Sequence, residues 1–215
     1  MPNLLYIDTS ASKATVALSQ EGRITAVRTH DNANEQAAVL NIMINNVLEE
    51  ASCDLDQVDA LCVCAGPGSY TGLRVGLSTA KGIAYGKDIP MMLFNRLDLI
   101  AWGQQDIKVP FAIALKARNG EYFFAAYTEN GMPGTPPQHL FEQDLAPYIT
   151  QGLFFITDDT DFVSQHREII GSNHSLNMES WITHAEKRFS LSQFDDLAYS
   201  EPFYLKAAYT TQSKK

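Results

Sequence analysis

The feature that most constrains the fold is a glycine-rich segment, GPGSYTG at residues 66–72, which directly follows a continuous apolar run at residues 58–65. A short apolar run that ends in such a turn is typical of a strand buried on both faces of a parallel sheet. The residues after the turn, about 70–85, predict a helix. A buried strand, a tight loop and a helix in this order indicate an α/β fold.

Three short strands and a helix precede this unit. The runs at 4–8, 14–18 and 23–29 are separated by short polar turns and predict an antiparallel meander. A helix follows, which Asp31 or Asn32 can cap. Its buried face is predicted from the helical spacing of Leu40, Met43, Ile44, Val47, Leu48 and Ala51.

After the glycine-rich unit the pattern predicts a strand at 90–94 and a short helix at 97–102. The order β-β-β-α-β-α-β-α resembles the ribonuclease H-like lobe of the actin, sugar-kinase and Hsp70 superfamily. The second half begins in the same way, with predicted strands at 111–115, 121–127 and 153–157, and the pattern then fades.

The chain length and this restart predict two lobes. We place an N-terminal ribonuclease H-like lobe at residues 1–105 and a smaller, degenerate lobe at residues 106–215. Residues 210–215 are expected to be disordered.

The charge balance argues against direct nucleic-acid binding. The chain has 16 basic and 25 acidic residues, a formal net charge of -9, and its basic residues are scattered. Proteins that bind nucleic acid neutralise phosphates with clustered Lys and Arg. We therefore expect contact with RNA only through a partner.

Cysteine use and the apolar runs indicate a cytoplasmic protein with no membrane segment. Three cysteines, Cys53, Cys62 and Cys64, give an odd number, and the start of the chain has no signal peptide pattern. The expected role of these cysteines is that of small buried hydrophobes rather than redox or metal groups. No apolar run approaches the roughly 20 residues that a membrane helix needs.

The helix after the loop carries two rows of small residues at four-residue spacing. One row is Gly72, Gly76, Ala80 and Ala84, and the other is Ser78, Gly82 and Gly86. Each interior glycine costs about 1 kcal/mol relative to alanine, so close packing must compensate. The sequence leaves two alternatives for what approaches this helix: the first helix of the same chain or another protein chain.

The loop also invites an anion-binding interpretation, because free N–H groups at a helix start attract anions. Neither the Walker nor the dinucleotide fingerprint is present. A structural turn with a helix cap is therefore the favoured role, and nucleotide or anion binding the weaker alternative. The residues concerned would be Asp8, Thr9, Ser10, Gly66, Gly68, Ser69 and Thr71.

Metal and hydrolase chemistry have little support in the sequence. Asp8 either ends a strand and caps its turn or, less favoured, holds magnesium. We predict no metal site, because no histidine pair has the spacing that places two ligands on one helix face. The histidines are His30, His139, His166, His174 and His184. No Gly-x-Ser-x-Gly elbow is present, so we predict no catalytic residue.

The longest motif identifies a family resemblance. GPGSYTGLRVG at residues 66–76 is similar to the GPGSFTGxRxG signature of the TsaB (YeaZ-like) proteins. The segments IDTS at 7–10, Ala117-Arg118 with Glu121-Tyr122, and EPFYLK at 201–206 resemble further family segments in the same order. The matches span the chain, and the long signature is the specific one.

This resemblance implies a two-lobed actin-like fold with a degenerate ATPase core and no activity of its own. It implies a TsaD-like transferase as partner, a TsaE-like ATPase, and N6-threonylcarbamoyladenosine at position 37 of tRNA as the product, with tRNA contacted indirectly. It implies a homodimer when the chain is alone. No cofactor is expected in the isolated chain, and ATP or ADP only at a complex interface. The alternative is an independent ATP-dependent, kinase-like phosphotransferase.

In this family the first two helices form the partner contact, which implies an interface at Glu35, Val39, Ile42, Gly72, Arg74, Gly76, Ala80 and Lys81. Two positions depart from the family pattern. Glu35 stands where relatives often have a histidine, and Lys116 where they have an aspartate. Both departures weaken a catalytic interpretation.

Overall fold

The first of two five-stranded sheets is built mainly from the N-terminal half of the chain. The computed structural model describes residues 1–118, 120–165, 170–171 and 174–206. The strands of this sheet are β1 (Leu4–Asp8), β2 (Ala14–Gln20), β3 (Arg23–His30), β4 (Ala60–Cys64) and β5 (Met91–Phe94). Their order is β3-β2-β1-β4-β5, with β1, β4 and β5 parallel and β2 antiparallel to both of its neighbours.

The second sheet repeats this topology. Its strands are β6 (Phe111–Arg118), β7 (Glu121–Tyr127), β8 (Gln138–Phe141), β9 (Phe154–Thr157) and β10 (Ile170–Gly171). The order β8-β7-β6-β9-β10 matches that of the first sheet, and so do the strand directions. Two copies of one sheet topology confirm the predicted two-lobed, ribonuclease H-like α/β fold.

Helices cover both faces of the first sheet. The helices that the structure describes are α1 (Gln36–Glu50), α2 (Tyr70–Lys87), α3 (Arg96–Trp102), α4 (Ala146–Thr150), α5 (Thr160–Gln165) and α6 (Met178–Ser190), and α4 and α5 pack on the second sheet. The buried side chains of α1 and α2 pack on one face of the first sheet, while those of α6 pack on the other. α3 joins the lobes, because its Leu97 and Ile100 pack with Phe111 and Ile113 of the second sheet.

The predicted elements up to residue 127 are confirmed, with shifts of a few residues at their ends. The predicted strand at 58–65 is shorter, since the regular pairing covers only Ala60–Cys64. Asn32 does cap the helical entry, its side chain accepting from the backbone N–H of Asn34. The predicted strand at 153–157 is confirmed as Phe154–Thr157, but the sequence pattern missed the strands β8 and β10 and the helices α4, α5 and α6.

The long helix α6 was missed because few of its side chains are apolar and buried. Trp181, Ile182 and Ala185 pack on the first sheet, where the Trp181 ring lies 5.2 Å from that of Tyr6. The helix therefore belongs by packing to the first sheet although it follows the second in the chain. The lobe boundaries at 1–105 and 106–215 stay a prediction.

The three cysteines are free and buried, as expected for small hydrophobic side chains. Burial raises the pKa of the thiols of Cys62 and Cys64, which makes them poor nucleophiles. None of the helices in the described part of the chain is long and apolar enough to cross a membrane. The expected disorder at residues 210–215 concerns residues outside those described.

Candidate functional site

The glycine-rich loop is fixed on both sides by backbone hydrogen bonds. The N–H of Ser69 donates to the carbonyl of Ser10 at 2.7 Å, and the N–H of Arg96 donates to that of Gly66 at 2.7 Å. The side chain of Ser69 accepts from the N–H of Gly72 at 3.2 Å and so caps α2. The loop thus has the structural role that the sequence favoured, a turn followed by a helix cap.

The predicted anion-binding side chains on β1 and its turn are engaged within the chain. Asp8 Oδ1 accepts from the N–H of Ser10 at 2.8 Å and from its hydroxyl at 2.6 Å. The hydroxyl of Thr9 donates to the carbonyl of Gly72 at 2.7 Å. These contacts give Asp8 the turn-capping role. Of the weakly predicted residues, Ser10, Gly68 and Ser69 line the cleft described next, whereas Asp8, Thr9, Gly66 and Thr71 do not.

A cleft of about 480 Å³ lies between the two lobes. Its walls come from the glycine-rich loop, the end of β6 and the residues before the C-terminal end of the described chain. The cationic lining side chains are Arg96, Lys116, Arg118 and Lys206, and Asp158 is the acidic one. The aromatic lining side chains are Tyr70, Phe123, Phe203 and Tyr204.

One cation of the cleft belongs to a buried network on the second sheet. Lys116 Nζ lies 3.0 Å from Asp159 Oδ1 and 3.7 Å from Asp161 Oδ2. The Tyr122 hydroxyl donates to Asp159 Oδ2 at 2.6 Å. Burial opposes the charge on Asp159, but hydrogen bonds from Tyr122, Lys116 and the backbone hold its pKa below the usual value. The family-atypical Lys116 therefore has a structural partner.

A second cation of the cleft links the lobes. Lys206 donates to Glu121 Oε2, and His139 Nε2 lies 2.9 Å from the same oxygen. The bonds from Lys206 and His139, the former the larger cause, lower the pKa of Glu121. Among the described residues, no group of three or more His, Cys, Asp or Glu side chains is arranged to hold a metal ion.

The structure corrects the prediction for one row of α2. Gly72, Gly76 and Ala80 are buried within the chain, so they are not available to a partner. A Cβ atom at Gly72 would lie 2.1 Å from the carbonyl oxygen of Thr9, and one at Gly76 would lie 2.2 Å from Thr9 Oγ1. These glycines let the helix approach the end of β1, so the neighbour is the same chain.

The other row of α2 faces outward. A Cβ atom added at Gly82 or Gly86 would meet nothing within 4 Å, and Ser78 is exposed. Tyr85 on the same side of the helix is 83% exposed. On α1, Ile42 is 58% exposed. Both helices thus carry exposed small or apolar residues, Ile42 on α1 and the outward row with Tyr85 on α2.

The charged residues predicted for the interface are exposed or half-buried, and each is bonded within the chain. Glu35 is exposed and 3.0 Å from His30. Arg74 is exposed and donates to the hydroxyl of Tyr204 at 3.0 Å. Lys81 is half-buried and donates to the carbonyl of Ala198 at 3.2 Å, and Val39 is half-buried on α1. These positions remain accessible, and their role in an interface stays a prediction.

The cleft and the segment at residues 195–206 that crosses it were not predicted as a site. The sequence offered one signal, the EPFYLK motif at 201–206, which entered only as part of the family resemblance. The residues that this motif contacts are distant from it in the sequence; Arg74 and Tyr204, for example, are 130 positions apart. Local periodicity carries no information on such pairs.

The repeated sheet topology and the cleft between the lobes define a two-lobed protein of the actin-like class. The solved structure of YeaZ from Pseudomonas aeruginosa superposes with a TM-score of 0.80 at 24% identity, covering 95% of this chain and 100% of that one. This likeness shows the fold. Together with the sequence relatives, it supports a protein of the TsaB (YeaZ-like) family.

Two sequence relatives carry the name of the same family. The protein named tRNA threonylcarbamoyladenosine biosynthesis protein TsaB in Haemophilus influenzae is 34% identical over 124 residues, or 57% of this chain and 52% of that protein. The protein of the same name in Escherichia coli is 32% identical over 135 residues, or 60% and 57%. The chain thus matches little more than half the length of these curated relatives.

A segment of the chain also matches a second kind of protein. A family model described as TsaD, tRNA N6-adenosine threonylcarbamoyltransferase, matches residues 27–133. The transferase of that name from a Geobacter species is 33% identical over 84 residues, which is 38% of this chain and 24% of that protein. The chain therefore shares a segment with the transferases and a longer stretch with the TsaB proteins.

Proposed function

We propose that this chain is a non-catalytic partner subunit that binds a TsaD-like transferase and supports formation of N6-threonylcarbamoyladenosine at position 37 of tRNA. The names of its relatives supply the pathway. The similarity of residues 27–133 to a transferase family model supports a partner of that kind.

The observation that carries this proposal is the uncovered surface of α1 and α2. We define the docking surface as Val39, Ile42, Ser78, Gly82, Tyr85 and Gly86, with Glu35, Arg74 and Lys81 at its rim. Among the residues that the structure describes, none would come within 4 Å of a Cβ atom at Gly82 or Gly86. A flat row of small residues lets a second helix approach closely, and the exposed Ile42 and Tyr85 supply apolar contact area.

The remaining partners follow from this arrangement. With a formal net charge of -9, the chain leaves the grip on tRNA to its partner. The same docking surface would serve a homodimer when the partner is absent. Nucleotide and a TsaE-like ATPase would act at the assembled complex, in the cytoplasm, rather than on the isolated chain.

The test is assembly of the purified chain with a TsaD-like protein, followed by size-exclusion chromatography with light scattering. We expect one species of higher mass for the natural chain. Gly82→Gln should reduce the affinity at least tenfold, because a long side chain blocks the approach while nothing in the monomer opposes it. The matched control is Thr183→Gln, an exposed position on α6, on the opposite face of the first sheet.

Two results would overturn the proposal. If the natural chain and the transferase elute as two unshifted species, no complex forms. If Gly82→Gln and Thr183→Gln assemble equally well, the surface is wrong. Reconstitution of tRNA modification with and without the chain then tests the role itself, and magnesium-dependent ATP turnover by the isolated chain would favour the kinase-like alternative.

A further inference from the structure

The residues after α6 return along the first lobe toward the cleft. We call residues 195–206 the C-terminal strap. It is anchored first at β5, where the N–H of Asp195 donates to the carbonyl of Met91 at 2.9 Å. The Asp195 carboxylate accepts from the N–H of Leu93 at 2.7 Å and from Arg188 at 2.9 Å. This start of the strap is firmly part of the first lobe.

The strap next crosses α2. Arg74 donates to the Tyr204 hydroxyl, and its guanidinium also lies 4.1 Å from the centre of the Tyr70 ring. The Tyr70 and Tyr204 rings are 5.3 Å apart. A cation over the face of an aromatic ring is a favourable contact, and here the ring of Tyr70 also packs against that of Tyr204. The contact holds the strap against the beginning of α2.

The strap then enters the cleft and reaches the second lobe. The N–H of Phe203 donates to the carbonyl of Ala65 at 2.8 Å, which fixes the strap at the end of β4. Phe203 to Lys206 line the cleft. Lys206 bonds to Glu121 at the start of β7, in the other sheet. The strap is therefore attached to the second lobe through its last described residue.

The lobes are joined differently at α3. The apolar side chains of this helix are fully buried with those of β6 in one continuous core. The Tyr127 hydroxyl adds a bond to Asp98 Oδ1 at 2.9 Å. Opening the lobes at α3 would expose this apolar core to water. Opening them at the strap would break only the Lys206–Glu121 ion pair, and water would then hydrate the two charged groups. The strap contact is therefore the weaker of these two connections between the lobes.

We propose that the C-terminal strap is a releasable clamp: it closes the two lobes over the cleft through the Lys206–Glu121 pair and opens by breaking that pair while the α3 core stays intact. The second hydrogen-bond partner of Glu121 also favours an open state in which Lys206 is released. His139 stays bonded to Glu121 when Lys206 leaves, so the carboxylate keeps one partner.

The test measures the distance between the lobes by pulsed electron paramagnetic resonance. Spin labels are placed at Ser78→Cys on α2 and Gln151→Cys after α4, both exposed positions. The three native cysteines are buried, which limits unwanted labelling. The variant Lys206→Met keeps the aliphatic stem but removes the charge. We expect the population at longer distance to rise about threefold to fivefold, as for loss of one partly exposed ion pair.

The matched control is Lys13→Met, which removes a lysine whose ion pair with Asp31 lies within the first lobe. Glu121→Gln should reproduce the effect of Lys206→Met, and the double variant should add nothing further. Circular dichroism verifies the fold of each variant, and Glu121→Gln serves if Lys206→Met does not fold. Distance distributions that match the Lys13→Met control, or additive effects in the double variant, would overturn the clamp.

Discussion

The two small-residue rows of α2 have the same spacing and opposite environments. Gly72, Gly76, Ala80 and Ala84 are buried against the first sheet, whereas Ser78, Gly82 and Gly86 face outward. In the buried row glycine is required, because any side chain at Gly72 or Gly76 would overlap Thr9. In the exposed row nothing within the chain requires it. The comparison shows that a row of small residues indicates a closely packed neighbour but does not say whether that neighbour is the same chain or another one.

The exposed row is the more informative of the two about function. Glycine in a helix interior costs about 1 kcal/mol relative to alanine. At Gly72 and Gly76 the close packing of α2 against the end of β1 offsets this free-energy cost within the chain. At Gly82 no described residue packs closely enough to offset this free-energy cost. The cost is therefore offset by packing against a second chain or not offset at all. This is the physical reason for placing the docking surface there.

The largest effect is expected for Gly72→Ala. The added methyl would lie 2.1 Å from the backbone oxygen of Thr9 and 2.9 Å from Gln36 Oε1, and a backbone oxygen cannot rotate away. Overpacking of this kind should lower the free energy of unfolding by about 3 kcal/mol. Urea unfolding followed by circular dichroism measures it. An unchanged or raised midpoint would show that α2 does not need to approach β1 so closely.

A smaller effect is expected for Gly76→Ala, because the overlapping atom is the side-chain oxygen of Thr9 at 2.2 Å. Rotation of that hydroxyl would relieve the overlap but break its bond to the carbonyl of Gly72. We expect a loss of about 2 kcal/mol in the free energy of unfolding.

A double-mutant cycle identifies the cause of this loss. Thr9→Ala removes the obstructing oxygen, so Gly76→Ala should cost at least about 1 kcal/mol less in that background. The measurement is again urea unfolding of the four proteins of the cycle. Additive effects would mean that the cost of Gly76→Ala arises elsewhere than at Thr9.

The sequence could have separated the two rows. At 100° per residue, Leu73, Leu77 and Ile83 lie on the same side of the helix as the buried row, so that row is on the apolar side. Arg74 and Tyr85 lie beside the exposed row. The strands, the glycine-rich loop and both long helices of the first lobe were predictable for the same reason, since their periodicity is local.

The cleft and the strap could not be predicted in this way. Their contacts join Glu121 to Lys206, Ala65 to Phe203 and Arg74 to Tyr204, which are pairs distant in sequence. Helix α6 was not predicted from the sequence, because its apolar stripe is narrow and most of its residues are polar. The site therefore depends on tertiary contacts that no short window of sequence contains.

The smallest effect on stability, and the sharpest test of the comparison, is expected for Gly82→Ala. It makes the same chemical change as Gly72→Ala, but its methyl meets no atom within 4 Å, so the helix gains propensity without strain. The free energy of unfolding should rise by up to about 1 kcal/mol. Affinity for the TsaD-like partner, measured by calorimetry, should fall, because the methyl separates two closely packed helices. If Gly82→Ala raises the free energy of unfolding and leaves the affinity unchanged, the exposed glycines have no function in assembly. If the free energy of unfolding rises and the affinity falls, glycine at position 82 lowers stability but favours assembly.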